Sequence, residues 1–433
     1  MRHHTLAALF ATGDELAIGQ SRDTNSADLA AALLPLGIRV IEHVVLPDDE
    51  LALAAALSRL APRVDLILTT GGLGPTADDL TRPALARALG EDLVEDPEAL
   101  ARLEAFFRHR NREMPPLNRV QALRPRSART LPNPHGTAPG LHALLRGGDR
   151  SCDVFCLPGP PREMRPMLRD HVLPALRPVP GSALATRVIP TCGLGESVVA
   201  QRLGEMMRRD RDPLVGTTAS GGIVSCRLRS RDSAALDRDE EEIRRLLGPF
   251  VIGSSRLADG TDAQPPTLAG ALLDLLRTRS RTLALAESCT GGLLAGAITA
   301  VPGASDVFLS GWVTYANASK RSLLGVGESI LSAHGAVSAE CALAMARGAI
   351  GRSGASDALA VTGIAGPSGG TPEKPVGLVW IARASREGEA EPRTFHFGED
   401  RETIRERAVV SAMNLLRLRL QGAGDDPLTW EVR

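Results

Sequence analysis

Lysine occurs only twice in the 433 residues, at Lys320 and Lys374, against 48 arginines, and the single tyrosine, Tyr315, stands five positions before Lys320. Arginine stays protonated, whereas a desolvated lysine can lose its proton and act as a base. A chain that otherwise uses arginine for positive charge therefore points to Lys320 as a site that needs an amine. Upstream, Ala286-Glu287-Ser288-Cys289-Thr290-Gly291-Gly292 offers a nucleophile and a glycine turn between a strand and a helix. Such a turn aims backbone N–H groups at one point, which suits an oxyanion or a substrate phosphate. Ser288 as nucleophile, Lys320 as base and Tyr315 as proton relay make one candidate site. Cys289 is the rival nucleophile, but in a continuing strand its side chain points opposite to that of Ser288. His334, within His334-Gly335-Ala336-Val337, reads as packing a turn.

A second glycine loop, Thr362–Gly370, follows another apolar strand, and its small residues, among them Gly363, Ala365 and Gly366, allow backbone to approach a ligand closely. It lacks the Gly-Lys-Ser/Thr ending of a P-loop and the Rossmann spacing, which disfavours a dehydrogenase built on Ser, Tyr and Lys. Lys374 either grips a phosphate or sits solvated. Near the amino terminus, Gly71-Gly72-Leu73-Gly74-Pro75-Thr76-Ala77-Asp78-Asp79 follows a strand directly. Gly71, Gly72, Gly74 and Thr76 suit contact with a phosphate or nucleotide. Asp78 and Asp79, with Asp14 and Glu15 after the first strand, suit a divalent cation bridging phosphates. Capping of the helix that begins near Thr81 is the alternative role for Asp78 or Asp79.

These residues need elements to position them. Residues 1–175 alternate strands (5–12, 38–45, 64–69) with helices (26–36, 48–60, 81–89), which implies an α/β domain with a parallel-rich sheet covered on both faces. Ligands of such sheets bind at the carboxyl ends of the strands, so the loops at 13–25, 71–79, 132–140 and 158–163 are the ones to watch. Residues 177–253 read as a small α+β module, with strands at 185–190, 222–229 and 250–252 and helices at 195–208 and 234–247. Residues 254–267 read as a linker. Residues 268–422 read as a further α/β domain, with strands at 282–286, 306–315, 358–362, 376–382 and 393–397 and helices at 268–277, 290–300, 338–350 and 401–418. The apolar fraction of 43% supports ordinary cores, and a net charge of −1 without a basic stripe argues against nucleic acid. No apolar run reaches the roughly 18 residues of a membrane span. Six cysteines, none in a zinc-type pair, read as reduced thiols of a cytoplasmic protein.

Taken in order, Ala286–Gly292, Val313–Lys320, His334–Ser338, Thr362–Gly370 and Glu373–Gly377 resemble the C-terminal domain of the CinA family, which is similar to the stand-alone nicotinamide mononucleotide (NMN) deamidase PncC. Gly13–Gly19, Thr24-Asn25, Gly71–Arg82, Asn133–Gly140 and Leu157–Met164 resemble the CinA N-terminal domain, which is similar to the MoaB/MogA molybdopterin-binding fold. The middle module resembles the family's KH-like insert. The resemblance implies an amidohydrolase whose Ser, Tyr and Lys match Ser288, Tyr315 and Lys320, with Thr290, Gly291, Gly292, Asn317, Gly363, Ala365 and Gly366 binding substrate and no cofactor. It implies for the N-terminal domain a metal-dependent cleavage of ADP-ribose, with Asn25, Gly71, Gly72, Gly74 and Thr76 at the nucleotide and Asp14, Glu15, Asp78 and Asp79 at the cation. It also implies a homodimer. Leu16-Ala17-Ile18 and Pro160-Pro161-Arg162 depart from the family's commoner residues. The competing readings are an NMN deamidase whose N-terminal domain only binds a nucleotide or molybdopterin, and a competence-related adaptor without catalysis.

Overall fold

The computed structural model describes residues 3–148, 150–257, 266–424 and 428–432. It divides into two compact units, Met1–Leu184 and Ala185–Arg433.

In the first unit the strands are β1 (Leu6–Thr12), β2 (Arg39–Leu46), β3 (Leu66–Thr70), β4 (Leu93–Glu95), β5 (Leu123–Pro125), β6 (Arg129–Leu131), β7 (Gly140–Gly147) and β8 (Arg150–Leu157). Six of them form a sheet in the order β2-β1-β3-β8-β7-β6, and β4 pairs with β5 apart from it. The first four strands of that order run parallel. The last two are antiparallel, so the sheet is mixed rather than parallel throughout. The reason is local: β7 and β8 meet across a tight turn where Gly147 faces Arg150, a connection only an antiparallel pair can make. The central strands are buried on both faces. Ala8, Phe10 and Ile67 enter one core, and Ala7, Leu9, Leu66 and Leu68 the other, as the two-residue side-chain period requires. Helices Asn25–Leu33, Glu50–Leu60 and Thr81–Leu89 lie close to where the periodicity puts them. Because β1, β3 and β8 run parallel, the loops after Thr12, Thr70 and Leu157 emerge at one edge of the sheet.

The second unit contains two sheets. The smaller has the order β10-β11-β9-β12, built from β9 (Ala185–Cys192), β10 (Leu214–Ser220), β11 (Ile223–Ser230) and β12 (Ser255–Leu257). Two expectations are corrected here. Residues 250–252 are not a strand: Gly248–Phe250 is a 3-10 turn, and Val251 makes a single bridge to Thr191. The strand that completes the sheet is β12, which pairs with β9 and falls inside the stretch expected to be linker; residues 258–265 of that stretch lie outside the described residues. Strand β10 was not evident because it carries Gly216 and ends in Thr217-Thr218-Ala219-Ser220, without an apolar alternation.

The larger sheet has the order β14-β13-β15-β16-β17-β18, from β13 (Leu283–Glu287), β14 (Phe308–Val313), β15 (Asp357–Gly363), β16 (Leu378–Ser385), β17 (Ala390–His396) and β18 (Glu431–Val432). β13 lies between two parallel neighbours, and the sheet turns antiparallel beyond β15. Leu283 and Leu285 enter one core and Ala284 and Ala286 the other. The first of these cores is continuous with the small module, joining Ile189, Val199 and Leu236 to helices Leu268–Thr278 and Arg401–Leu420. Two further helices, Asn317–Leu324 and Glu328–His334, are too short to show an apolar period in sequence, and the first of them holds Lys320.

Candidate active site

Ser288 is the first residue past β13. Its amide donates to the Val361 carbonyl (2.9 Å), and the Thr314 amide donates to the Glu287 carbonyl (2.8 Å), so parallel pairing continues on both sides of the strand end. The side-chain alternation therefore persists through Cys289. Cys289 lies in the core with Leu283 and Leu285, where burial pushes its thiol up to about 12. Ser288 points the other way, toward the layer of Ala284 and Ala286, and meets Lys320. Cys289 thus faces the apolar core, and of the two side chains it is the Ser288 hydroxyl that meets the amine.

Lys320 is 1% exposed. Its Nζ donates to Ser288 Oγ at 2.9 Å, to the Thr314 carbonyl at 2.6 Å and to the Tyr315 carbonyl at 3.5 Å. Burial pushes the amine below its ordinary lysine value, with the neighbouring Cys341 and Cys289 opposing. A neutral amine has two N–H bonds and one lone pair. In that form the two N–H bonds match the two carbonyls and the lone pair matches the Ser288 hydroxyl, whereas the ammonium form donates to all three.

The structure does not bring the Tyr315 phenol to this pair. The side chain is 61% exposed, and its hydroxyl accepts from Arg401 Nη2 at 3.0 Å, while Arg401 Nη1 donates to the Gly366 carbonyl at 2.7 Å. What reaches Lys320 is the backbone carbonyl of Tyr315, because the chain turns there from β14 into helix Asn317–Leu324. The expected relay through the phenol is thus not formed within the chain. Asn317, the first residue of that helix, is exposed.

The turn itself also differs from expectation. The amides of Gly292, Leu294 and Ala295 are not open to an anion: all three donate to the carboxylate of Glu287, at 3.0, 3.1 and 2.8 Å. The Gly291 amide donates to Ser288 O. Among the described residues the amides of Cys289 and Thr290, which follow Ser288 directly, donate to no backbone carbonyl, and the Cys289 amide lies against its own thiol. Thr290 is fully buried with its hydroxyl unpaired. Gly291 (φ 61°) and Gly292 (φ 99°) take left-handed conformations that close the turn. From the carbonyl side, Arg405 donates to Cys289 O (3.1 Å) and Thr290 O (2.8 Å).

The second glycine loop uses its small residues internally. A side chain at Gly363 would strike Val379 and Leu378, and one at Gly366 or Gly370 would strike Val376; Ala365 is in the core. Lys374 is half-buried, and its amine donates to the carbonyls of His334 (2.7 Å) and Val337 (2.8 Å), closing the end of helix Glu328–His334. The His334 ring faces Glu340 at 3.6 Å.

In the first unit, Gly71 (φ 102°) and Gly72 (φ 64°) let the loop after β3 pass against Thr12 and Thr81. Asp79 binds its own loop: its carboxylate accepts from Gly74 N (2.6 Å), Thr76 N (2.8 Å) and Thr76 Oγ1 (2.5 Å). It does not cap helix Thr81–Leu89, whose cap residue Leu80 makes no side-chain bond. Arg82, 1% exposed, donates to the carbonyls of Leu73 and Gly74 from below, and burial draws its guanidinium down to about 10. Asn25 donates to Thr70 Oγ1 and to the Gly159 carbonyl, both at 2.7 Å, tying the end of β3 to the loop after β8, and its Oδ1 is buried without a partner among the described residues. Asn133 similarly bonds the buried Glu163 at 2.8 Å. Arg82, Glu163 and Asn133 stand inside the quoted motifs and were not singled out.

Three of the expected cation ligands lie around Asp48. Asp14 and Asp48 bond reciprocally, amide to carboxylate, at 3.1 Å. Burial, and then Asp14, Asp78 and Glu15, push the Asp48 carboxyl up, so these acids are neighbours. Yet among the described residues no three His, Cys, Asp or Glu side chains gather as one ion's ligands, and the Asp79 oxygens are already engaged. Asp14, Glu15 and Asp78 thus lie around Asp48, while Asp79 is held by its own loop.

A buried Ser–Lys pair on a mixed α/β domain, joined to a small α+β module and preceded by a second α/β unit, places the chain in a multidomain class whose parts are separately recognisable in sequence. Residues 8–178 match the probable molybdopterin binding domain family, residues 186–253 the damage-inducible protein CinA KH domain, and residues 266–420 the CinA C-terminal domain. A putative competence-damage inducible protein of Symbiobacterium thermophilum is 44% identical over 434 residues, spanning 96% of this chain and 99% of its own. A CinA-like protein of Geobacter metallireducens is 44% identical over 427 residues, spanning 95% and 98%. Among solved structures, the competence/damage inducible protein CihA of Agrobacterium tumefaciens is 46% identical over 36% of this chain and 93% of its own, with a TM-score of 0.35. The chain belongs to the CinA family.

Proposed function

We propose that the C-terminal domain hydrolyses the carboxamide of NMN to the carboxylate, with release of ammonia. The observation that supports this most directly is the 2.9 Å contact between a buried lysine amine and the hydroxyl of a serine at a strand end. Lys320 takes the Ser288 proton as Oγ attacks the amide carbon. The tetrahedral oxyanion lies against the amides of Cys289 and Thr290. The Lys320 ammonium returns its proton to the departing nitrogen, and ammonia leaves an acyl-Ser288. Lys320 then deprotonates a water that attacks the ester carbon, and the acid departs with Ser288 regenerated. This chemistry is complete with the chain's own residues and one water. Purified protein given NMN should release ammonia, and Ser288→Ala and Lys320→Arg should abolish the release; undiminished release in both variants would sink the assignment.

For the first unit we propose, on the family resemblance, cleavage of ADP-ribose to AMP and ribose 5-phosphate at the edge where Asn25 joins the end of β3 to the loop after β8. The test is ADP-ribose turnover with and without added divalent cation, in the intact chain and in Asp79→Ala. Both substrates derive from NAD, which gives the fusion its rationale. The same proposal takes the protein as a cytoplasmic homodimer; among the described residues no helix is long and apolar enough to cross a membrane. Loss of both activities would favour the adaptor.

A further inference from the structure

Glu287 is 1% exposed and, among the described residues, has no ion-pair partner. A buried carboxylate without a counter-charge is costly unless hydrogen bonds replace water. Here three backbone N–H groups do so, those of Gly292, Leu294 and Ala295, the last two in the first turn of helix Leu293–Thr299. These are donors that a helix leaves unpaired at its start, at the positive end of its dipole. The carboxylate belongs to the strand residue before the nucleophile, so it fastens the helix start to the strand end across the Ser288–Gly291 turn. Arg405 holds the carbonyls of that turn, and Glu287 holds the amides beyond it. Among the described residues the Thr290 amide, beside Ser288, donates to no backbone carbonyl, while the Cys289 amide lies against its own thiol.

We infer that Glu287 is a positioning residue for Ser288: by binding three amides its carboxylate sets the turn so that Oγ meets Lys320 and the backbone beside Ser288 faces the reacting carbon. It also fills the helix terminus, so the substrate's phosphate binds elsewhere. The inference deepens the deamidase proposal and rests on it for the substrate. A glutamine in its place keeps the size but loses the charge, and turns an NH2 toward amides that need an acceptor.

The experiment compares wild type, Glu287→Gln and Glu287→Asp in two assays: NMN steady-state kinetics, and the rate at which an alkyl fluorophosphonate labels Ser288. In Glu287→Gln, kcat should fall on the order of 10²-fold, as for a small displacement of a reacting group, with KM within about threefold and labelling slowed in parallel. In Glu287→Asp, which keeps the charge but is one methylene too short to reach all three amides, both rates should be intermediate. Wild-type labelling in Glu287→Gln overturns the inference, and so does a raised KM at unchanged kcat, which would make Glu287 a substrate contact. Should Glu287→Gln fail to fold, Glu287→Asp decides alone, with wild-type labelling counting against. Should wild type not turn over NMN, the deamidase proposal fails, while the labelling comparison still tests Glu287.

Discussion

Removal of the Lys320 amine tests the dyad most severely. Its Nζ lies 2.9 Å from Ser288 Oγ, a distance for direct proton transfer. The thiols near it, Cys341 and Cys289, are both pushed up by burial, so neither can substitute as a base at neutral pH. Loss of a positioned general base costs on the order of 10²–10⁴ in rate, or about 2.7–5.4 kcal/mol of barrier at 1.36 kcal/mol per decade. Lys320→Met should fall in that range. Lys320→Arg should do no better, because guanidinium does not shed a proton near neutrality. If hydroxyl and amine act as one unit, their losses will not add. Ser288→Ala, Lys320→Met and the double variant should then reach the same residual rate, within about threefold. The assay is ammonia release from NMN, on proteins shown to unfold cooperatively. A double variant slower than either single by the product of their losses would mean that the two side chains contribute independently, and the proton transfer assigned to them would be refuted.

The pH dependence follows from the same amine: kcat/KM should rise with pH through a value below the ordinary lysine pKa of about 10.4, and Lys320→Met should lack that limb. Stability should follow with a definite sign. Because burial lowers the folded-state value, the unfolded chain binds more protons between that value and the ordinary one, so stability rises with pH in this window by up to about 1.4 kcal/mol per unit; denaturant melts of Lys320→Met should lack this slope. Cys289→Ala should keep NMN turnover within about threefold, since its thiol faces the core, and a loss as deep as that of Ser288→Ala would reverse the choice of nucleophile. Lys374→Met, which strands the His334 and Val337 carbonyls, should lower the melting temperature by roughly 2–4 °C per kcal/mol lost while leaving KM for NMN unchanged; a raised KM would return Lys374 to the substrate. Asp79→Ala should loosen the Gly74–Thr76 loop, so that ADP-ribose turnover falls and excess divalent cation fails to restore it; restoration by the cation would make Asp79 a ligand after all.

The main elements of the first unit and the Ser288–Lys320 pair were legible for separate reasons. Central strands such as Leu6–Thr12 and Leu66–Thr70 are buried on both faces, so their sequences are continuous apolar runs that no helix period imitates. Lys320 stood out by composition: in a chain that spells positive charge as arginine, a lysine with a chemical duty is visible. The helix that carries it was not, because eight residues with five polar side chains show no stripe. Strand β10 and the antiparallel strands β6 and β7 escaped for the related reason that edge and hairpin pairing is decided by turns and neighbours and leaves little trace in periodicity.

What sequence could not show is the direction in which polar groups spend their hydrogen bonds. Asp79, Glu287, Tyr315 and Lys374 all stand in motifs that suggest ligands, and in the structure all four bond the protein itself. The glycines behave alike: Gly72 and Gly366 make room for Thr81 and Val376, which is what their neighbours in space require whether or not a ligand is near. A motif of glycines and acids is therefore ambiguous between a cradle for a phosphate and a loop that is its own ligand. The two differ in which donors and acceptors are left over. In the C-terminal domain, once Glu287 and Arg405 have taken their shares of the turn, a serine hydroxyl and a buried amine stand in contact at 2.9 Å, and the proposed deamidation rests on that pair.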